Sequence, residues 1–191
     1  MKRIPLLPTL IVLIAVGIMV RLGFWQLDRL HQKEAMLARF EAASGAPDEV
    51  AWPTIPTEFE PALFHRSQVD CLAGSLDEPL AGRSDKGQPG WSHEFSCRTS
   101  EGSTAFVVLG WSSSPTRVTW TGGRVTGVVG PRGKQGIRLI ADSPLAGLQP
   151  NARPDPRDIP NNHLSYAVQW FAFAAIALVI YGLALRKRMR P

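Results

Sequence analysis

The sequence predicts a membrane protein: two transmembrane α-helices flanking a small α+β domain, an antiparallel sheet or open barrel with one helix. Three observations predict it. Two apolar runs have the length of a bilayer span. The positive charge excess lies at their outer flanks. Between them, short strand-like pieces alternate with Gly and Pro. A mean hydropathy of -0.03 averages these regions into an apparently soluble chain of 191 residues.

From Ile4 to Leu22 the only charge is Arg21, and from Leu164 to Leu185 there is none. At 1.5 Å per residue, 19 and 22 residues reach about 28 and 33 Å, the thickness of a bilayer's hydrocarbon core. A cleaved signal peptide is the alternative for the first run. No small-x-small cleavage site follows it, and an amphipathic helix continues directly from Met19-Val20-Arg21-Leu22.

Charge placement gives the orientation. Lys2 and Arg3 precede the first run, and Arg186, Lys187, Arg188 and Arg190 follow the second. The positive-inside rule makes both ends cytoplasmic, with Arg21 a weak opposing vote. The segment Asp28 to Asp158 holds 14 basic and 16 acidic residues, a net of −2. The pI of 9.7 therefore reports membrane orientation and gives no sign of nucleic-acid binding. Trp25 and Trp170 fall near the outer ends of the spans, where aromatic belts form.

The expected organisation follows. Residues 1–3 form a cytoplasmic N-terminus, 4–24 the first span, 25–45 a membrane-proximal helix, 46–163 a periplasmic mainly-β domain, 164–185 the second span and 186–191 a basic cytoplasmic tail. In the proximal helix Leu27, Leu30, Leu37 and Phe40 make an apolar stripe among charged residues, and Ser44-Gly45-Ala46-Pro47 stops it. The stripe is expected to lie on the middle domain. Residues Ala46 to Pro61 read as a loop. Strands are expected over 66–72, 92–98, 104–111 and 137–140. A hairpin is expected from 117–120 and 124–129 around Thr121-Gly122-Gly123. Ser143 to Asn162, with five prolines, reads as an extended lead-in to the second span.

Cys71 and Cys97 both fall in the outer segment, in strand-like stretches. A disulfide and two buried thiols are both open, while a metal site has no further His or Cys ligands around it. Enzyme signatures such as G-x-S-x-G, H-E-x-x-H or a P-loop are absent, so no catalytic residue is assigned. His31, His65 and His93 read as ordinary surface or core histidines.

Two patches stand out. On a helix His163, Tyr166, Ala167, Trp170 and Ala174 share one face at the outer end of the second span. A neutral imidazole there can ligate a metal or haem iron, with Tyr166 and Trp170 beside it and small residues leaving room below. The plainer account is a helix cap with interface anchors. At the outer end of the first span, Gly23 permits close helix contact, and Trp25, Gln26 and Arg29 stand at the same level. This patch reads as partner surface or as simple helix packing.

At these patches the sequence resembles the Surfeit locus protein 1 family of cytochrome c oxidase assembly factors. The family's Leu-Gly-x-Trp-Gln-x-x-Arg stretch is matched by Leu22-Gly23-Phe24-Trp25-Gln26-Leu27-Asp28-Arg29, with Lys33 following. Its Asn-His-x-x-Tyr-Ala-x-x-Trp-Phe stretch is matched by Asn162 through Phe171. The middle is looser. Val107-Val108-Leu109-Gly110-Trp111 is similar to the family's strand end but lacks its Asn-Arg, and Gln88-Pro89-Gly90-Trp91 is similar to its Gly-aromatic strand entry.

The resemblance implies an assembly role in the bacterial inner membrane without catalysis. It implies transient binding of haem a, with His163 as axial ligand and Tyr166, Trp170, Trp25 and Gln26 around the cofactor. Subunit I of a haem-copper oxidase would be the client, and a haem a synthase a further partner. Two alternatives stand beside it: a haem-free scaffold for nascent oxidase subunits, and an unrelated two-span sensor or anchored domain.

Overall fold

The computed structural model describes residues 5–133 and 136–189. Lys2, Arg3 and Arg190, which enter the orientation argument, lie outside them. One unbroken helix, α1 (Leu6–Gly45), covers both the apolar run and the amphipathic stretch after it. Another, α3 (His163–Met189), begins at the Asn-His motif and ends in Arg186, Lys187 and Arg188. Both are long and apolar enough to cross a membrane. The chain divides into two compact units: Ala38–Ile159, and the helical segments on either side of it.

Within Ala38–Ile159 seven strands form one mixed sheet: β1 (Glu49–Val50), β2 (Arg66–Leu76), β3 (Leu80–Arg83), β4 (Pro89–Thr99), β5 (Thr104–Ser112), β6 (Gly123–Arg132) and β7 (Gly136–Ala141). The order β1-β2-β6-β7-β5-β4-β3, with β2 also pairing β4, closes five strands into a ring. This is a five-stranded Greek-key barrel, the arrangement of OB-type domains.

β2 closes the ring by serving two partners. Its first half pairs β6, from Arg66↔Val128 to Cys71↔Gly123, and its second half pairs β4 beyond a bulge after Cys71. Gly74 makes the bend possible, because a Cβ there would sit 2.0 Å from the Ser96 carbonyl oxygen.

Alternation along the strands builds the interior. Ala105, Val107 and Leu109 of β5 point inward with Val69, Phe95, Val125, Val129 and Leu139. The Cys71–Cys97 disulfide joins β2 to β4 inside the same cluster, with Cα atoms 5.5 Å apart. Phe64, buried and with a left-handed φ of 68°, packs its ring 4.9 Å from Phe40 near the end of α1. That conformation is sterically costly for an aromatic residue and persists because its surroundings fix it.

Several expectations are corrected. The sheet is mixed, since β5 runs parallel to β7 and β1 parallel to β2. The barrel is closed by the β2–β4 pairing. The hairpin around Thr121-Gly122-Gly123 does not form: 113–122 is irregular, β6 pairs β2 and β7 instead, and Trp120 packs edge-on against Phe95 at 4.7 Å. Packing that half-buried indole against the core outweighs a two-stranded ribbon with nothing behind it. The Pro-rich 46–61 stretch holds β1 and begins α2 (Pro56–Ala62), whose first-turn proline suits a helix start. Sequence reading also passed over β3, a short strand paired only with β4.

Candidate functional site at the end of the helix pair

α1 and α3 pack antiparallel. Their contacts run Thr9 with Tyr181, Gly23 with Phe171 and Gln26 with His163. On α1 the less exposed positions recur as Thr9, Val12, Val16, Met19, Gly23, Gln26 and Leu30. On α3 they recur as His163, Ala167, Trp170, Ala174, Ala177 and Tyr181. Spacings of three and four in alternation are the seam of two coiled helices. Small residues bring them close: Ala167 and Ala174 are buried, and a Cβ on Gly23 would lie 2.6 Å from the Phe171 ring. Phe24 meets the same ring edge-to-face at 5.3 Å.

At the open end of this seam, His163 is half-buried at the first turn of α3. Its Nδ1 lies 2.8 Å from Oε1 of Gln26. A carbonyl oxygen accepts only, so Nδ1 carries the proton and donates; in the neutral ring Nε2 then keeps its lone pair. The turn beneath is closed by Tyr166 N–H and Ser165 Oγ–H, which both donate to the Asn162 carbonyl. The site is thus one imidazole, oriented from the neighbouring helix, with a free basic nitrogen.

The other singled-out residues fall differently. Trp170 is half-buried on the seam, its ring 6.3 Å from Phe173. Tyr166 is 50% exposed and stands away from Ala167 and the seam. Trp25 is also 50% exposed. It precedes Gln26 by one residue, which turns it about 100° around α1. Arg29 is exposed and donates to Gln32 of its own helix at 2.8 Å. Of the marked residues the structure joins Gln26 to His163 and seats Gly23 and Trp170 in the seam. Trp25, Tyr166 and Arg29 face elsewhere. Sequence reading did not single out Phe171, though its position beside Trp170 and opposite a glycine is the signal for it. Nor did it single out the Thr9–Tyr181 hydrogen bond, two polar side chains placed deep in apolar runs.

The barrel carries its own buried polar group. Glu94, 1% exposed, accepts from Arg132 Nε at 2.8 Å and has Arg138 Nη1 at 3.8 Å. The Arg132 guanidinium lies 3.6 Å over the Phe106 ring. Beside it His93 is fully buried, its Nε2 2.7 Å from Ser112 Oγ. That hydroxyl spends its own proton on the Ser114 carbonyl, so His93 Nε2–H donates and Nδ1 is left without a partner. Burial holds the His93 imidazolium pKa below its ordinary value. Among the described residues no His, Cys, Asp and Glu group could hold a metal ion.

Fold and site define a class: a small closed barrel in the middle of the sequence, and two apolar helices from its two ends that clasp at a histidine. A family model described as the SURF1 family matches residues 13–175, from within the first helix to within the second. The chain belongs to the SURF1 family, a family of oxidase assembly factors rather than of catalysts. No curated protein matches the sequence significantly.

Proposed function

We propose that this protein binds haem a at the open end of the helix pair and assists its insertion into subunit I of a haem-copper oxidase. The observation that carries the reading is the His163–Gln26 hydrogen bond. An axial imidazole must offer a neutral nitrogen, and its other nitrogen is ordinarily held by an acceptor that fixes tautomer and ring plane. Gln26 is such an acceptor, and it leaves His163 Nε2 available. A neutral amide makes a weaker anchor than a carboxylate, which suits a ligand that must let go of its cargo. Haem would supply the redox-active iron of the finished oxidase; these residues bind and orient it. Trp170 lies on the same seam as His163, and exposed apolar positions such as Leu164 and Val168 give an isoprenoid tail a surface continuous with lipid.

In this reading α1 and α3 cross the bacterial inner membrane with both termini cytoplasmic and the barrel periplasmic. The basic last turn of α3 supports that orientation, and the disulfide suits an oxidising compartment. Haem a synthase would be the upstream partner.

The optical spectrum of the purified protein from cells that synthesise haem a tests the proposal. Near-stoichiometric haem is expected in the wild type, lost or spectrally altered in His163→Ala. A wild type without haem, purified beside a haem-loaded oxidase control, would sink the cofactor part and leave a haem-free scaffold for oxidase subunits.

A further inference from the structure

The two long helices contain Gly17, Gly23, Gly45 and Gly182. Glycine is a poor helix residue, so each place needs a reason. A Cβ on Gly17, Gly45 or Gly182 would meet nothing within 4 Å, and all three are exposed. Gly23 is buried, and a Cβ on it would meet three atoms of the Phe171 ring, at 2.6, 2.7 and 3.0 Å. Phe24 stands edge-on to the same ring at 5.3 Å. The ring of Phe171 thus sits in a notch, with Gly23 as its floor and Phe24 as its wall.

The notch lies next to the His163 site. Gly23 precedes Gln26 on the same face of α1, about 4.5 Å away along the axis. Helical side chains lean toward their own N-terminus, which on α3 is the His163 end, so the Phe171 ring leans toward the site. The other hydrogen bond between the helices, Thr9 with Tyr181, stands about 26 Å further down α1 from Gln26. Lipid supplies no hydrophobic force between helices, so close packing sets their separation, and beside the site that packing is Phe171 on Gly23. The tolerance is small. The Gln26–His163 contact is 2.8 Å, and no hydrogen bond remains at about 3.6 Å, so an opening of about 0.8 Å breaks it. Carbons in ordinary contact stand about 3.5 Å apart or more, so a methyl on Gly23 asks for about that much.

We infer that Gly23 and Phe171 are positioning residues for His163. The ring, seated in its notch, sets the helix separation at which Gln26 accepts from Nδ1–H and holds the imidazole in one tautomer and one plane. Neither residue touches the ligand; both act through Gln26. The inference rests on the proposed function in taking His163 for an iron ligand, but the hydrogen bond it explains is measurable without haem.

The test is a double-mutant cycle on the full chain in detergent, read in two ways. Nitrogen NMR of histidine-labelled protein reads the His163 tautomer, with His163→Ala assigning the signal. Optical titration with haem reads affinity. Gly23→Ala pushes the ring off its seat, and Phe171→Ala removes the ring. Each is expected to spread the proton over both imidazole nitrogens and to weaken haem binding about tenfold, the loss typical of disturbing a ligand's outer support. Combined, the added methyl fills part of the space the ring leaves, so the pair should recover to within about twofold of wild type. Gly17→Ala makes the same change to α1 where a Cβ has open space, and should move neither readout. Circular dichroism reports the helix content of each variant. Phe171→Ala adds no clash and carries the test should Gly23→Ala fail to fold. If Gly23→Ala keeps the tautomer as Gly17→Ala does, the ring swings aside freely and the inference falls. It falls equally if the double variant is as poor as the worse single one. A wild type that takes up no haem refutes the cofactor reading alone, because the tautomer signal still decides this one.

Discussion

The barrel and the helix pair are built on opposite plans. The barrel hides its side chains: Val107, Leu109, Val129 and Leu139 are wholly enclosed, a disulfide crosses the interior, and even a carboxylate and an imidazole are buried. The helix pair hides almost nothing. Its seam is one residue wide, and Leu7, Ile11, Phe24, Ile176 and Val179 are more than half exposed. In water that would be a defect; in lipid only the polar groups need partners. The difference teaches where each unit keeps its specificity. The barrel keeps it in many enclosed contacts, and the helix pair in two hydrogen bonds, Thr9–Tyr181 at one end and Gln26–His163 at the other.

The disulfide should show the largest effect. Replacing both cysteines (Cys71→Ser with Cys97→Ser) releases a loop of 26 residues, and chain entropy sets the loss near 3–4 kcal/mol. Denaturant unfolding followed by tryptophan fluorescence should show it in the barrel. The helix content of α1 and α3 in detergent should not change. If both units melted together, the contrast between them would be wrong.

Glu94→Ala comes next. It strands two guanidiniums around a buried cavity, and losing one partner of a buried ion pair costs about 3 kcal/mol or more. Arg132 is partly solvated and can turn outward, which places the expected loss at the lower end. Glu94→Gln should cost less, since the amide oxygen still accepts from Arg132. Equal losses for the two variants would mean that volume, rather than charge, holds this corner.

His93 contributes through pH. Its pKa is lowered in the folded barrel by burial, so below about pH 6.5 the unfolded chain binds the proton more readily. Stability should therefore be flat above that pH and fall as pH drops through it. A His93→Gln barrel should lose that dependence while keeping a donor for Ser112. An unchanged slope would assign the acid sensitivity to the carboxylates instead.

Legibility in the sequence divides along the same line. The two helices are readable because lipid imposes one simple rule, a long apolar run, which Leu164 to Leu185 obeys without a charge and Ile4 to Leu22 with Arg21 alone near its end. His163 and Gln26 were marked from their motifs, but their contact was not, because it depends on which faces of two distant helices meet. The strongest strands, such as 104–112, announced themselves by β-rich composition and turns. The closure did not. That β2 serves two partners follows from the bulge after Cys71 and the missing Cβ of Gly74, and that β7 runs parallel to β5 is a pairing of strands distant in sequence; neither shows in local periodicity. Trp120 misled for a physical reason. It is apolar and flanked by β-formers, yet its indole is used as a plug against Phe95 rather than in a strand.

The smallest expected effect bears most on function. Gln26→Leu and Tyr181→Phe each remove one interhelical hydrogen bond, and in lipid such bonds average about 0.6 kcal/mol. By stability alone the two variants should be almost indistinguishable. Their chemistry differs. Tyr181→Phe leaves His163 as it was. Gln26→Leu removes the acceptor of Nδ1–H, so the imidazole loses its fixed plane and the tautomer preference that leaves Nε2 unprotonated. If His163 is an iron ligand, Gln26→Leu should shift the haem spectrum or lower occupancy several-fold, Gln26→Glu should retain binding, and Tyr181→Phe should do nothing. Matching haem content in Gln26→Leu and Tyr181→Phe would reduce Gln26 to one of two equivalent clasps and remove the main support for His163 as an oriented ligand.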